Sequence, residues 1–203
     1  MIRVLVKRRF GVTDFMSVAG LSPEMQEFQR SVKEFANKEV LPLADVTDRS
    51  NEFPMELWRK MGDFGILGLT CPEPFGGLDL GYTAQSIAME ELSRCSGSIA
   101  LSFGAHANLC VNQINRFGTE EQKRRYLPEL ISGSWVGALA MSEPNAGSDV
   151  VSMKTRAVKQ GDKFVINGTK MWITNGPIAD LIIVYAKTTR SDGKEAITAF
   201  LLE

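Results

Sequence analysis

The secondary structure of the chain changes character at one segment, Leu139-Ala140-Met141-Ser142-Glu143-Pro144-Asn145-Ala146-Gly147-Ser148-Asp149. In this segment, small apolar residues are followed by residues with hydroxyl groups, a proline and a glycine. This pattern predicts a strand that ends in a polar loop. The hydroxyls of Ser142 and Ser148 and the backbone N–H groups near Ala146 and Gly147 can bond a phosphate or the edge of a heterocycle. The same residue types are common in a solvated turn, so the loop alone leaves both interpretations open.

A second segment, Met171-Trp172-Ile173-Thr174-Asn175-Gly176-Pro177, complements the first. We predict a strand over residues 169–174. Residues two apart in a strand share a face, so Trp172 and Thr174 are expected to point the same way. A flat ring ligand fits a face that offers an indole beside a hydroxyl. A tryptophan that only packs in the core is the alternative.

The composition is that of an ordinary globular protein, with 44% hydrophobic and 23% charged residues in a chain of 203. The formal net charge of -1 provides no basic field, which argues against a nucleic-acid partner. Three cysteines, Cys71, Cys95 and Cys110, lack the spacing of metal or redox motifs, so we interpret them as small core residues in a reducing compartment. No segment has the pattern of a transmembrane helix, and we predict no membrane insertion.

The first ten residues carry four basic side chains, Arg3, Lys7, Arg8 and Arg9, among apolar residues. This composition is typical of an organelle-targeting segment, and a disordered basic start has the same composition. We expect residues 1–20 to form a basic leader outside the core, with mitochondrial targeting as one interpretation.

Residues 21–133 are predicted to form a helical domain. A helix start is indicated at Ser22-Pro23-Glu24, where a capping hydroxyl precedes a proline and an acid. A capping box at Thr119-Glu120-Glu121-Gln122 predicts a helix that ends at Gly133.

Three titratable residues of the helical domain have side chains that can serve in catalysis, and we interpret each of them as structural. Glu90 and Glu91 are adjacent on a predicted helix and do not face each other, which favours surface charge over a catalytic pair. His106 lies in an uncharged run that predicts a buried central helix. Because no partner motif accompanies it, we interpret His106 as an interior histidine with satisfied hydrogen bonds.

Residues 134–203 are predicted to form a β domain, which makes the fold α+β, with a helical amino-terminal domain followed by an antiparallel β middle domain. The predicted strands are Trp135 to Met141, Thr155 to Lys159, Lys163 to Ile166, Thr169 to Thr174, Leu181 to Ala186 and Ile197 to Leu202. The chain has no G-x-G-x-x-G motif, which argues against a Rossmann fold. Because the last strand reaches Glu203 without a polar tail, we expect the β domain to be truncated and more chain to follow.

The two segments together resemble a motif of the acyl-CoA dehydrogenase flavoproteins. That motif is a small apolar run, Ser or Thr, Glu-Pro, Ala-Gly-Ser-Asp and, later, Trp-Ile-Ser or Trp-Ile-Thr. The resemblance extends from about Leu21 to Glu203 and is highly specific. Within the family, the chain is most similar to the isovaleryl-CoA dehydrogenases of leucine breakdown at Asp48 to Phe53, Met89 to Arg94, Gly104 to Gln113 and Trp172 to Pro177.

The resemblance implies FAD as cofactor, with Met141 and Ser142 at the isoalloxazine edge, Trp172 against the ring and Thr174 donating toward N5. Ser148 would lie at the pyrophosphate or the acyl-CoA and is the implied substrate-binding residue. The implied cofactor-binding residues are Leu139, Ala140, Met141, Ser142, Glu143, Pro144, Asn145, Ala146, Gly147, Ser148, Trp172, Ile173 and Thr174.

The family's catalytic base is a glutamate of a carboxyl-terminal helical bundle, which we expect to lie beyond Glu203. We therefore assign no catalytic residue within this chain, and we do not assign Glu143 as the catalytic base. The family also implies an acyl-CoA substrate, electron-transferring flavoprotein as partner, a homotetramer and the mitochondrial matrix. Two other interpretations stay open: an acyl-CoA oxidase, and a non-catalytic product that binds flavin or partner subunits.

Overall fold

A computed structural model describes residues 20–203, so the predicted basic leader lies, apart from Gly20, outside the described residues. Helices fill the first part of this range and strands the last part. The α-helices are α1 (Pro23–Phe35), α2 (Ala44–Ser50), α3 (Glu56–Asp63), α4 (Gly81–Cys95), α5 (Gly97–Gly104), α6 (Asn112–Phe117) and α7 (Glu120–Ile131). Two π-helical segments continue α1 and α5, at Ala36–Val40 and Ala105–Val111.

Both predicted helix starts are confirmed. Met25 N–H donates to the Ser22 hydroxyl at 3.3 Å, ahead of a proline in the first turn of α1. At α7 the backbone N–H of Gln122 donates to Thr119 Oγ1 at 3.2 Å, and the Thr119 N–H donates to Gln122 Oε1 at 2.9 Å. These bonds satisfy backbone groups that no helical partner can reach.

The helical part has a core of fully buried side chains, including Trp58, Phe103 and Leu92. A second core lies between helices and sheet, where Leu127 and Leu130 of α7 meet Leu181 of the sheet. The second core fixes α7 against the sheet. The predicted burial of Cys71 and Cys110 is confirmed, while Cys95 is half-buried.

The sheet has five strands, β1 (Gly137–Ala140), β2 (Arg156–Gln160), β3 (Lys163–Asn167), β4 (Leu181–Thr189) and β5 (Glu195–Leu202). The predicted antiparallel pairing is present between β2 and β3 and between β4 and β5. The sheet also contains parallel pairs, which join β4 to β1 and, at one position, to β2. One edge of β4 pairs with β5. Along its opposite edge, β1 and β2 lie end to end, and the loop 141–155 leaves the sheet between them.

Two predictions about local structure are wrong. Residues 169–174 form an irregular loop and not a strand, because Trp172 has a φ of 60°, outside the β region. Glu91 is not a surface charge, since only 1% of it is exposed. Its carboxylate accepts a hydrogen bond of 3.0 Å from Gln29 Nε2, and that partner on α1 lies 62 positions earlier in the chain.

Candidate functional site

A cleft of about 430 Å³ opens where β1 ends, between the loop after β1 and the loop 169–175. We call it the loop cleft. Its lining residues are Ala105, Asn108, Leu109, Gln113, Leu139, Met141, Ser142, Trp172, Ile173, Thr174 and Tyr185. Its volume falls in the range of small-molecule sites, and its lining is apolar with a few polar groups. Six of the thirteen residues implied to hold a cofactor are among those lining it.

Trp172 is the most unusual residue of the loop cleft. Its side chain is 87% exposed, the highest value among the large hydrophobic residues of the described chain. Its φ of 60° lies in the left-handed region, which costs a bulky residue about 1–3 kcal/mol. An indole that is both strained and unburied contributes little to the fold, so the interpretation as a core tryptophan is wrong. Ring binding is the function that such a group can serve.

Thr174 lies in the same cleft as Trp172, as expected, although the strand alternation from which we derived this is wrong. The hydroxyls of Ser142 and Thr174 have no hydrogen-bond partner among residues 20–203. Two unengaged hydroxyls beside an exposed indole can bond the polar edge of a ring that packs on the indole.

Glu143 points into the protein. Its carboxylate accepts hydrogen bonds from Lys154 N at 2.6 Å and Thr155 N at 3.0 Å, and Lys170 Nζ lies 2.9 Å away. Burial alone would raise the pKa of Glu143, but the bonds from Thr155, Lys154 and Lys170 outweigh it and lower the pKa to about 2. Glu143 is therefore anionic at neutral pH, and its hydrogen bonds hold the loop in place.

The rest of the first segment lies away from the loop cleft. Ala140 and Ala146 are buried, whereas Pro144, Asn145, Gly147 and Ser148 are exposed. A tight turn pairs Glu143 with Ala146, whose N–H donates to the Glu143 carbonyl at 3.1 Å. The Ala146 N–H is thus engaged in the turn and does not face a ligand, contrary to the expectation from sequence.

Five lining residues were not assigned to a site from the sequence. Ala105, Asn108 and Leu109 lie on the π-helical segment, Gln113 follows it, and the Gln113 amide donates to the Tyr185 hydroxyl. Such segments are frequent at functional sites because the wider turn re-aims side chains. The similarity of Gly104 to Gln113 to the isovaleryl type was the available signal, but it did not indicate which side chains face the cleft.

His106 has the structural role predicted for it. It is fully buried; the Gly137 N–H donates to Nδ1 at 2.9 Å, and Nε2 lies 3.0 Å from the Leu130 carbonyl. The proton is therefore on Nε2, and the ring joins the central helix to α7 and β1. Burial lowers the pKa of His106 to about 4, although the bond to Leu130 opposes the shift.

We predict that His106 makes stability fall on mild acidification. Its pKa rises from about 4 in the folded chain to 6.5 on unfolding, so the unfolded state binds more protons below pH 6.5. The free energy of unfolding should fall by about 1–2 kcal/mol between pH 6.5 and 5. Urea titrations at several pH values measure this fall.

The matched control is His106→Gln, which cannot titrate. The chain has one histidine, so the difference in pH slope between the two proteins isolates its contribution. Equal slopes over this window would show that His106 is not held neutral.

Acidic groups are missing from the loop cleft: none of the residues lining it is Asp or Glu. Within residues 20–203 no group of three or more potential ligands could hold a metal ion. In the same part of the chain, no helix is long and apolar enough to cross a membrane. The cleft therefore offers ring packing and hydrogen bonding, without a carboxylate base.

Family models match most of the chain. Residues 22–134 match the acyl-CoA dehydrogenase N-terminal domain, and residues 138–203 match the middle domain of the same family. An isovaleryl-CoA dehydrogenase, mitochondrial, from Solanum tuberosum is 57% identical over 88% of this chain and 44% of its own length. A 2-methylacyl-CoA dehydrogenase, mitochondrial, from the same plant is 54% identical over 90% of this chain and 45% of its own length.

Solved structures with a similar fold support the same family as the sequence relatives. One described as the FAD complex of PigA superposes with a TM-score of 0.84 at 34% identity, over 91% of this chain and 49% of the other. The chain spans about half the length of the relatives it matches. Both matched domains occur in the expected order and together cover nearly all of the described residues. The chain belongs to the acyl-CoA dehydrogenase family.

Proposed function

We propose that this chain provides the FAD-binding part of an enzyme that dehydrogenates a short branched acyl-CoA between its α and β carbons. The observation that carries the proposal is the strained, 87% exposed Trp172 beside the unengaged hydroxyls of Thr174 and Ser142 in one cleft. An aromatic ring with hydrogen-bonding edges satisfies all three groups at once.

The residues of the loop cleft fit a flavin. In the proposed site the Trp172 indole would pack against the isoalloxazine, Thr174 would donate toward N5, and Met141 and Ser142 would lie along the edge of the ring. The chemistry that FAD supplies when bound is acceptance of a hydride from the β-carbon of the thioester. The side chains of this chain would hold the ring and donate hydrogen bonds where negative charge develops. Ser148, outside the cleft, is proposed to bond the pyrophosphate or the acyl-CoA.

The proposed substrate is isovaleryl-CoA, which would yield 3-methylcrotonyl-CoA in leucine catabolism. Ala105 and Leu109 give the cleft an apolar side suited to a short branched chain. The isovaleryl and 2-methylacyl names of the two plant relatives both describe branched acyl groups. Comparing the rates at which isovaleryl-CoA and 2-methylbutyryl-CoA reduce the flavin would distinguish these two substrates.

The family supports the remaining parts of the proposal. Electrons pass to electron-transferring flavoprotein, and the assembled enzyme is a homotetramer. The mitochondrial names of the plant relatives support a mitochondrial location, and the matrix is the compartment we propose.

A non-catalytic flavin-binding product is a second candidate. The absence of Asp and Glu from the residues lining the loop cleft favours it, because removal of the α-proton needs a positioned base. Both candidates require the same FAD site. They differ in whether turnover accompanies binding.

The FAD site is tested by titrating the 203-residue chain with FAD and following flavin fluorescence. We expect saturable binding that weakens about 5- to 10-fold in Thr174→Val, because one hydrogen bond to the ring is lost without a change of shape. The variant should keep its unfolding midpoint, since the Thr174 hydroxyl has no partner among the described residues.

The matched control is Thr189→Val, the same substitution at an exposed position at the end of β4. FAD affinity should not change in this protein. Equal losses in both variants, or no saturable binding by the unsubstituted chain, would contradict the proposed site.

A further inference from the structure

The two loops that form the cleft are joined by one buried ion pair. Lys170 Nζ lies 2.9 Å from Glu143 Oε1, and the two side chains are only 11% and 6% exposed. The same ammonium donates to the Met141 carbonyl at 2.9 Å and lies 3.9 Å from Met153 Sδ. Lys170 thus binds both the backbone and the side chain of the first loop.

Glu143, the partner of Lys170 in this ion pair, is itself held by hydrogen bonds. Glu143 is fixed by the backbone N–H groups of Lys154 and Thr155, just before β2. One position after Lys170, the Met171 N–H donates to the Ser142 carbonyl at 3.0 Å. The backbone on the amino-terminal side of Trp172 is therefore tied to the loop 141–155 at adjacent points.

The other side of Trp172 is tied as well. Asn175 is 7% exposed and has a φ of 65°, and its side-chain Nδ2 donates to the Ser102 and Gly137 carbonyls at 2.9 and 3.2 Å. Between these anchors the Trp172 indole is 87% exposed and has no packing that would hold it. The position of the ring must come from its backbone, and the strained φ of Trp172 has to be imposed by the anchors.

We propose that Lys170 is a positioning residue: by pairing with Glu143 and the Met141 carbonyl, it holds Trp172 against the loop cleft and so sets the affinity of the cleft for FAD. This inference rests on the proposed FAD site and adds a residue outside the cleft lining. Lys170 itself need not touch the cofactor. Its effect passes through the indole two positions later.

The competing explanation is an ion pair that stabilises the fold and nothing else. Lys187 and Glu195 form such a pair on the same sheet, with Nζ and Oε1 2.7 Å apart and the lysine side chain 18% exposed. The side chains of that pair join β4 to β5. The bond of Lys187 to the loop 141–155 runs from its backbone N–H to the Thr155 carbonyl, and Lys187→Met keeps it. Lys187→Met is therefore the matched control for Lys170→Met.

The test is a double-mutant cycle on FAD affinity in the 203-residue chain. Lys170→Met should weaken FAD binding at least about fivefold, while in a Trp172→Ala background the same change should weaken it less than about twofold. Lys187→Met should leave affinity within about twofold. Thermal unfolding without FAD is measured for every variant, so that affinity and stability are separated.

Because Lys170→Met leaves a buried carboxylate unpaired, a second variant combines it with Glu143→Gln. This neutral pair should fold and show the same coupling to Trp172. Equal losses of FAD affinity with and without the Trp172 indole would overturn the proposal. Failure of both Lys170→Met and the double variant to fold would also overturn it, because the Lys170–Glu143 pair would then serve the fold alone. Absence of FAD binding in the unsubstituted chain would instead overturn the proposed function. That result is distinguishable from equal losses of affinity and from failure to fold.

Discussion

Supplied with FAD and isovaleryl-CoA, the 203-residue chain is expected to bleach flavin at least about 10²-fold more slowly than a full-length isovaleryl-CoA dehydrogenase. The α-proton must be removed by a positioned base, and no Asp or Glu lines the loop cleft. Titratable groups at or beside the cleft do not substitute for one. Burial raises the pKa of Tyr185, which lines the cleft, so its phenol stays protonated. His106 is fully buried, and Glu143 is engaged by three donors.

The measurement is anaerobic flavin reduction followed by absorbance, with the FAD-bound fraction determined in the same sample. Normalising to bound FAD separates slow chemistry from weak binding. Glu143→Gln serves as a control, because a carboxylate with a pKa near 2 that points into the protein should not act as the base. Turnover close to that of the full-length relative would show that a base exists among these residues.

Replacing Trp172 by glycine is expected to stabilise the chain and to weaken FAD binding. Glycine adopts a φ of 60° without the strain that an indole incurs, and the exposed ring contributes little packing to lose. The gain should be about 1 kcal/mol or less, which raises the unfolding midpoint by up to about 4 °C. Loss of the aromatic platform should weaken FAD binding by about 5- to 150-fold, the range found when bases lose a stacking partner.

Trp172→Ala separates the two effects. It removes the ring but keeps a Cβ in the left-handed region, so affinity should fall as in Trp172→Gly while the gain in stability shrinks. A lower unfolding midpoint in Trp172→Gly would contradict the view that the indole is held at a cost to the fold.

Local signals in the sequence predicted local structure well. The capping box at Thr119 and the start of α1 at Ser22 depend on residues within one turn, and both formed as expected. The antiparallel pair of β4 and β5 joins strands adjacent in sequence. In each case the partners are so close in the chain that composition alone identifies them.

Long-range partners explain what the sequence did not predict. Residues 169–174 have strand-like composition, yet Lys170 turns inward to Glu143, 27 positions earlier, and Trp172 takes a conformation that no strand allows. Burial of Glu91 depends on Gln29, and the parallel pairing of β1 with β4 joins residues 44 positions apart. Local propensity yields to such contacts because burying a polar group requires its partner, wherever that lies in sequence.

The same limit applies to the site. The two motif segments were located from sequence, and six of their residues line one cleft. The wall contributed by the π-helical segment was not predicted, because only the packed fold shows which side of a central helix faces the loops. Lys170 was missed because a lysine within a predicted strand is ordinarily a solvated side chain.

Binding of the flavin ring in the loop cleft is tested by titrating the ¹⁵N-labelled chain with FAD and mapping the NMR shift changes. We predict the largest changes at the Trp172 indole N–H and at the amides of Met141, Ser142 and Thr174, with none at the exposed turns around Gly161 and Gly193. Changes that cluster elsewhere and spare the Trp172 indole would contradict binding in the loop cleft.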